Sequence, residues 1–287
     1  MICIYHSKDL DGWTSAAIVK SKYIDAKLIG YNYGGHLPEI KDGEPIIIVD
    51  VCFSMEYMEK LARKSRWNLK WIDHHISQIK EYKNFIGDGE TFMNAILPQQ
   101  DENVAACELT WRHFYPNIPI PEAIRLLGRY DCFGHKGTDE EQKIFLFQYA
   151  ARAKASNPDE AAFFINATEE DIDKLLKEGD IIYKYLCVEA KQQYAKRFTI
   201  ELDGYYFACV NTERLNPVNF GIKYHEDKAN DIYYYDGFAS FWYENGQWTY
   251  SLYNENGQVD CSEICKKRGG GGHRGAAGFQ TNNVILK

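Results

Sequence analysis

Four short apolar runs near the start of the chain constrain its fold more than any other sequence feature. They cover residues 2–5, 26–31, 45–51 and 69–72, and the segments between them carry apolar residues at helical spacing. Parallel strands need a crossover connection, usually a helix, so short strands alternating with helices are typical of βαβ units. The sequence therefore predicts an α/β fold with an N-terminal domain built on a parallel sheet.

The predicted secondary structure changes from helices to strands near residue 198. Helices are predicted at residues 102–114, 121–130, 140–153 and 169–198, with Gly179 a candidate break in the last of them. Aromatic and β-branched residues then dominate, and Asn245-Gly246 and Asn256-Gly257 are typical of turns between strands. We predict a first domain at residues 1–185, a helical linker at 186–198 and a smaller α/β domain at 199–287, with a cleft between the domains.

Charge and composition narrow the classes of partner. The formal net charge is −8, which disfavours tracking along a long nucleic acid because that needs clustered Lys and Arg. The first residues lack the pattern of a signal peptide, and no apolar run approaches the roughly 20 residues that cross a bilayer. A cytoplasmic location without a membrane partner is expected. The eight cysteines are interpreted as structural thiols.

Carboxylate and imidazole side chains follow three of the apolar runs directly. Ligands of open parallel sheets bind at the carboxyl ends of the strands, so these side chains are expected at one edge. Mixed oxygen and nitrogen ligands suit divalent ions such as Mn²⁺, and two ions roughly 3.5–4 Å apart can activate a shared water. The residues are His6, Asp9 and Asp11 after the first run, Asp50 directly after residues 46–49 of the third, and Asp73, His74 and His75 after the fourth.

Each of these motifs also has a purely structural interpretation. Asp9 and Asp11 are good helix caps, Asp-Gly is a common turn, and adjacent histidines are often surface or core residues. Their order, with each group directly after an apolar run, favours a metal site over these separate explanations.

The motifs together resemble those of the DHH superfamily of phosphoesterases. His6-x2-Asp9-x-Asp11-Gly12, Asp50 and Asp73-His74-His75 are similar to its first three motifs, and residues 128–133 (GRYDCF) are similar to the fourth. Residues 268–279 (RGGGGHRGAAGF) resemble the GGGH signature of the DHH-associated C-terminal domain. The resemblance covers essentially the whole chain and is greatest to the oligoribonuclease, or nanoRNase, group.

The resemblance implies a role for each residue of the site. His6 and Asp9 would bind one divalent cation, Asp11, His74 and Asp131 would bind a second, and Asp50 would bridge them. His75 would contact the scissile phosphate, and Asp73 would orient the histidines. Asp139 competes with Asp131 for the fourth motif. The cations expected are Mn²⁺, with Co²⁺ or Mg²⁺ as alternatives.

The glycine run near the C-terminus is predicted to bind a phosphate of the substrate. Consecutive glycines expose backbone N–H groups and permit close approach of an anion, whereas the bland alternative is a flexible linker. Tyr253 stands where relatives usually carry an Arg, and a tyrosine can donate one hydrogen bond or stack on a base but cannot form a bidentate charged clamp. The predicted substrate-binding residues are Arg268, Gly270, Gly271, Gly272, His273, Arg274 and Tyr253.

The expected activity is degradation of short oligonucleotides to mononucleotides by an activated water. Alternatives with the same chemistry are hydrolysis of cyclic or linear dinucleotides, of cAMP, or of 3′-phosphoadenosine 5′-phosphate. A nucleotide-binding regulator that does not cut is the alternative from another class. The partners expected are a short oligonucleotide or small nucleotide, and homodimerisation is left open.

Overall fold

The structure, a computed structural model, describes residues 1–33, 35–86, 104–213, 215–229 and 233–285. The chain divides into two compact units, Met1–Tyr183 and Lys184–Lys287. Unit 1 contains the predicted strand-helix alternation, and unit 2 contains the aromatic, turn-rich segment.

Unit 1 is built on a four-stranded sheet whose strands are all parallel. The strands are β1 (Ile2–His6), β2 (Lys27–Tyr31), β3 (Ile46–Val49) and β4 (Leu69–Ile72), in the order β2-β1-β3-β4. The helices that follow β1, β3 and β4 are α1 (Leu10–Lys22), α2 (Met55–Lys64) and α3 (Ile76–Ile86). The predicted parallel α/β domain is confirmed.

Both faces of this sheet are buried at its centre, which explains why the central strand β3 is entirely apolar. Successive side chains of a strand point to opposite faces. Ile46 and Ile48 of β3 accordingly belong to one core cluster with Trp71, whereas Ile47 and Val49 belong to another. A parallel sheet covered on both sides leaves no position in such a strand for a polar residue, so polar groups appear where the strand ends.

The rest of unit 1 is helical. Its helices are α4 (Ala106–Phe114), α5 (Glu122–Asp131), α6 (Glu141–Lys154), α7 (Pro158–Ala161), α8 (Phe163–Asn166) and the beginning of α9 (Glu169–Tyr194). The first predicted residues of α4, 102 and 103, lie outside the described residues. α9 runs through Gly179 without the predicted break. A Cβ at Gly179 would overlap the carbonyl oxygen of Leu146 in α6, so the glycine permits close packing of the two helices.

Unit 2 is built on a mixed sheet. Its strands are β5 (Phe198–Leu202), β6 (Tyr205–Asn211), β9 (Gly237–Glu244), β10 (Gln247–Tyr253), β11 (Gly271–His273) and β12 (Ala276–Thr281). A separate pair is formed by β7 (Lys228–Ala229) and β8 (Tyr233–Tyr234), and the described part of the unit also has a helix α10 (Cys261–Lys266).

The strand order in the sheet is β11-β12-β10-β9-β6-β5, and among its described pairs only β6–β9 is parallel. Asn245 and Gly246, both with positive φ, turn the chain between β9 and β10, as predicted.

The cysteines match their expected state. All eight cysteines are free thiols, and Cys261 and Cys265 share the buried face of α10. Within the described ranges, no helix combines the length and the apolar character needed to cross a membrane.

Gly179→Ala should destabilise the protein by about 1–3 kcal/mol, because the added methyl group meets the carbonyl of Leu146. Helix propensity alone predicts the opposite sign, a gain of about 1 kcal/mol. Urea unfolding followed by fluorescence measures the difference. Lys177→Ala, at an exposed position of the same helix, is the control and should change stability by less than about 0.5 kcal/mol. A stabilised Gly179→Ala variant would refute the packing explanation.

Candidate metal centre

The first part of the site forms where β1 passes into α1. His6 is the last residue of β1, and Asp9 caps α1 by accepting a hydrogen bond from the N–H of Gly12 at 3.0 Å. The other carboxylate oxygen of Asp9 lies 2.8 Å from His6 Nδ1. A Cβ at Gly12 would overlap the carbonyl oxygen of His6, so glycine is what lets α1 begin so close to the strand.

Asp50 lies at the centre of the site, directly after β3. Its side chain is 2% exposed, and its two carboxylate oxygens each lie 3.6 Å from an imidazole nitrogen, one of His6 and one of His74. Its φ of +58° places it in the left-handed region, which Asp tolerates better than most residues because its short polar side chain bonds locally. The backbone turn therefore carries the carboxylate to a position between two histidines.

Asp73 organises the segment after β4. It accepts hydrogen bonds from the backbone N–H groups of His74 and His75 at 2.7 and 3.1 Å, and from Trp71 Nε1 at 3.2 Å. It also binds His75 Nδ1 at 2.6 Å. The ring of His75 is thus held by Asp73, and donation from Nδ1 leaves Nε2 with a lone pair in the neutral tautomer. Asp73 contacts His74 only through its backbone.

Asp11 and Asp131 approach His74 from the helical side. Asp11 accepts the N–H groups of Ala106 and Cys107 at 2.9 and 2.7 Å, and so caps α4 from another helix. Asp131 is the last residue of α5. His74 Nε2 lies 3.5 Å from Asp11 and 3.1 Å from Asp131. The capping and the metal-binding interpretations of Asp9 and Asp11 are therefore compatible, because each carboxylate has more lone pairs than caps require.

Three sets of donors in this region have the geometry to hold an ion, with ligand atoms within 4.8 Å of one another. Buried His6 Nδ1 and His74 Nε2 have no hydrogen bond of good geometry despite the carboxylates around them, which is what ligand nitrogens of a metal centre would show. The donors fit divalent cations. The three sets are His6, Asp9 and Asp50; Asp11, His74 and Asp131; and Asp50, His74 and His75. Asp139, the alternative to Asp131, is exposed and belongs to none of them.

Burial and the neighbouring charges both shift the pKa values of these groups. Burial raises the pKa of Asp11 and of Asp50, and for Asp11 the charges of Asp50 and Asp131 raise it further. Burial alone would lower the pKa of the histidines. The negative carboxylates beside them outweigh burial and raise the pKa of His6 to about 10 and of His74 to about 12.

Two aromatic residues near the site have features that the sequence did not predict: the position of Tyr33 beside His6 and the exposed, left-handed conformation of Phe133. The ring of Tyr33 lies 6.0 Å from that of His6, its hydroxyl accepts the N–H of Cys52, and 47% of the residue is exposed. Tyr33 lies two residues after the end of β2, so the rule that functional groups collect at the carboxyl ends of parallel strands applies to it as well. Phe133, two residues after Asp131, is 60% exposed with a φ of +57°, a backbone conformation that is unusual for an aromatic residue.

The glycine run in unit 2 is part of a strand rather than a flexible linker. Residues Gly271–His273 form β11, which pairs with β12. Side chains at Gly270 and Gly272 would collide with Gly278 and with Ala277, whereas a Cβ at Gly271 would meet nothing within 4 Å. Two of the glycines are thus required by packing, and Gly271 is open.

The other predicted substrate contacts in unit 2 have partners of their own. Arg268 donates to the carbonyl of Ile264 and to Asp203, at 2.8 and 2.9 Å. Arg274 donates to the carbonyl of Gly257 at 2.8 Å. Tyr253 ends β10, and its ring lies 6.2 Å from that of Phe238, whereas His273 is exposed. These bonds hold both arginines beside the glycine run, and their predicted substrate contacts stay predictions.

Comparisons with known proteins identify the fold. The structure is similar to a pGpG-specific phosphodiesterase, PggH, from Vibrio cholerae, with a TM-score of 0.55 and 14% identity over 99% of this chain and 93% of that one. An exopolyphosphatase-related protein from Bacteroides fragilis matches with a TM-score of 0.49 and 12% identity, over 99% of this chain and 87% of that one.

In sequence, the chain is 22% identical to the uncharacterized protein R106 of Acanthamoeba polyphaga mimivirus, over 99% of this chain and 68% of that protein. No protein-family model matches the chain. The chain shares the fold of PggH, with an N-terminal parallel sheet and helices before a C-terminal mixed sheet, and this is the architecture expected from the resemblance to the DHH superfamily. The Asp73-His74-His75 segment lies at the candidate metal centre, where His74 and His75 belong to the donor sets.

Metal binding at neutral pH should release protons. His6 and His74 have pKa values well above 7, so both are protonated in the metal-free protein, whereas a ligand imidazole must be neutral. Affinity for Mn²⁺ should therefore rise with pH. Calorimetric titration in two buffers of different ionisation enthalpy counts the released protons, and His74→Gln should release fewer. A binding enthalpy that is independent of the buffer would contradict this account.

Proposed function

We propose that the protein is a metal-dependent phosphodiesterase that degrades short oligonucleotides to mononucleotides. The observation that carries the proposal is the position of Asp50, buried between His6 and His74 and shared by two of the three donor sets. A carboxylate placed in this way fits a bridge between two cations, of which Mn²⁺ is the proposed species and Co²⁺ or Mg²⁺ the alternatives. Bound at this site, two such ions would activate a water and offset the charge that develops on the phosphoryl oxygens.

The residues of the chain then divide the remaining tasks. His6 and Asp9 would hold one ion, and Asp11, His74 and Asp131 the other. His75 is held by Asp73 and is free to donate a hydrogen bond from Nε2 to a phosphate oxygen. Burial lowers the pKa of His75, but the hydrogen bond that its Nδ1 donates to Asp73 raises the pKa above its usual value, so the protonated, donating form persists to higher pH.

A linear dinucleotide is the second candidate substrate. PggH, whose fold this chain shares, is described as specific for pGpG. Cyclic dinucleotides, cAMP and 3′-phosphoadenosine 5′-phosphate use the same reaction, and a nucleotide-binding regulator would use the site without hydrolysis. We place the short oligonucleotide first because the GGGH-like strand offers a second phosphate site, which a mononucleotide monoester would not need.

Purified protein with Mn²⁺, incubated separately with a five-nucleotide RNA, pGpG, c-di-AMP, cAMP and 3′-phosphoadenosine 5′-phosphate, ranks the substrates. We expect the fastest mononucleotide release from the RNA or from pGpG. Turnover of a cyclic substrate alone would replace the proposal. Tight nucleotide binding without hydrolysis in either Mn²⁺ or Co²⁺ would favour the regulator.

Asp50→Asn should lower kcat by more than 100-fold, about 2.7 kcal/mol of barrier, because it removes the shared negative charge. Asn is chosen because it tolerates the positive φ of this position. Circular dichroism and substrate binding should match the wild type. Asp139→Asn, outside all three donor sets, is the matched control and should retain full activity. Activity of Asp50→Asn within tenfold of wild type would rule out the bridging role.

Gly271→Ala tests the predicted phosphate site in unit 2. The added methyl group meets nothing within 4 Å, so stability should be unchanged, but a phosphate could no longer approach the backbone closely. KM should rise about tenfold with little change in kcat, measured by steady-state hydrolysis of the five-nucleotide RNA. Gln247→Ala, exposed at the far end of β10, should leave KM unchanged. An unaltered KM for Gly271→Ala would remove the glycine run from the substrate site.

A further inference from the structure

The second strand of unit 1 delivers an aromatic residue to the edge of the sheet where the metal centre lies. In the parallel pair of β1 and β2, His6 is opposite Tyr31, and the N–H of Ser7 still donates to the carbonyl oxygen of Tyr31 at 2.9 Å. Tyr33 comes two residues after this last pair. It therefore lies at the carboxyl end of β2, beside the point where β1 delivers His6 to the metal centre.

The ring of Tyr33 is fixed in place. Its hydroxyl accepts the N–H of Cys52 at 3.3 Å, in the turn that follows Asp50. The ring of Tyr31 packs edge-on against it, with ring centres 6.3 Å apart and planes at 74°, and Tyr31 in turn packs on Phe53 at 4.6 Å. A ring that is anchored at its polar end and supported by a neighbour loses little conformational freedom when a ligand binds, so its face is preorganised.

The anchored ring stays open to ligands. Tyr33 is 47% exposed, and its ring centre lies 6.0 Å from that of His6, with 53° between the planes. The donors of the three sets are carboxylates and imidazoles, which suit cations. An aromatic face next to them suits the other part of a nucleotide, its base. Because one sugar separates a base from its phosphate, a phosphate at the metal centre brings its base into the surroundings of His6.

Phe133, two residues after Asp131, is also exposed, but its ring is less suited to a base. The ammonium group of Lys136 lies over the ring, 4.6 Å from its centre. The other described ring contact of Phe133 is with His135 at 6.5 Å, and neither partner is a donor of the metal centre. A base could stack on that face only after Lys136 had moved away. The ring of Tyr33, in contrast, is next to a donor residue.

We propose that the exposed face of Tyr33 stacks on the nucleobase beside the scissile phosphate, on the side of the metal centre formed by His6 and Asp9. The inference rests on the proposed function, and it names the substrate class as phosphodiesters with a nucleoside next to the bond that is cut. Every base has a π-face, so stacking on an aromatic ring tolerates all base sequences. Purines, which have the larger face, bind more tightly than pyrimidines.

The kinetic test compares pGpG with its abasic counterpart, in which hydrogen replaces both bases. Tyr33→Leu should raise KM for pGpG about tenfold, without a matching fall in kcat, because one base–aromatic stack is lost. Tyr33→Trp keeps an aromatic face and should keep the wild-type KM. The abasic compound should have the same KM with all three proteins, measured by mass spectrometry of the products. An equal rise in KM for both compounds with Tyr33→Leu, or no rise for either, would overturn the proposal.

Two further variants separate stacking from a purely structural role of Tyr33. Tyr33→Phe loses the hydrogen bond to Cys52 but keeps the ring, so its KM for pGpG should stay close to that of the wild type. Tyr243→Leu, at a 60% exposed position near the turn after β9, is the matched control and should change neither KM nor kcat. If Tyr33→Phe and Tyr33→Leu lost kcat equally with unchanged KM, Tyr33 would only position the turn after Asp50, and the stacking role would be excluded.

A binding measurement separates this inference from the proposed function. The probes are the 5′- and 3′-monophosphates of 2-aminopurine ribonucleoside, which are not phosphodiesters and whose fluorescence falls when the base stacks. With Mg²⁺ present, the wild type and Tyr33→Trp should quench at least one probe, and Tyr33→Leu should quench neither. A protein that hydrolyses pGpG but quenches neither probe would refute the stacking alone. Quenching that depends on Tyr33, in a protein that hydrolyses nothing, would refute only the hydrolysis.

Discussion

The mutual repulsion of carboxylates at one edge of a sheet is the constraint on which unit 1 depends. Asp9, Asp11, Asp50 and Asp131 converge on two histidines, and burial raises the pKa of the two most enclosed, Asp11 and Asp50. Such a cluster stays together only where donors surround it. Backbone N–H groups, imidazole rings and helix ends supply them, and the all-parallel sheet brings those groups to one place.

Structural and chemical duties are combined in the same residues rather than divided among different ones. Asp9 begins α1 while facing His6, and Asp11 begins α4 while facing His74. The N-terminal end of a helix carries partial positive charge, so each of these two caps also reduces the repulsion at the site. The question whether such an aspartate is a cap or a ligand therefore has no single answer in this fold.

The parts predictable from sequence are those set by local periodicity and by a topological rule. The four strands and the meeting of His6, Asp50 and His74 follow because a parallel sheet collects its strand ends. Contacts between distant segments were not predictable. Asp11 bonds residues 95 and 96 positions further on, and Gly179 appears as a weak point of a helix until α6 is placed against it.

The bonds of Arg268 and Arg274 belong to the same unpredictable class. Arg268 reaches Asp203, 65 positions earlier in the chain, and Arg274 reaches the carbonyl of Gly257. Spacing in a sequence does not encode such contacts. Tyr33 is a different case. It follows the second strand, so the rule that site residues collect at the carboxyl ends of parallel strands covers it as well as the charged residues.

The left-handed backbone of Asp50 has a consequence for how this protein could evolve. At a positive φ, Asp and Asn are favoured over other residues with side chains. Most other substitutions of Asp50 would therefore strain the backbone turn, whatever their effect on the chemistry of the site. Asn differs from Asp by one nucleotide in the codon and keeps the turn. A lineage that exchanged hydrolysis for mere recognition of nucleotides would therefore pass through Asn at this position, keeping an intact fold around a silenced centre.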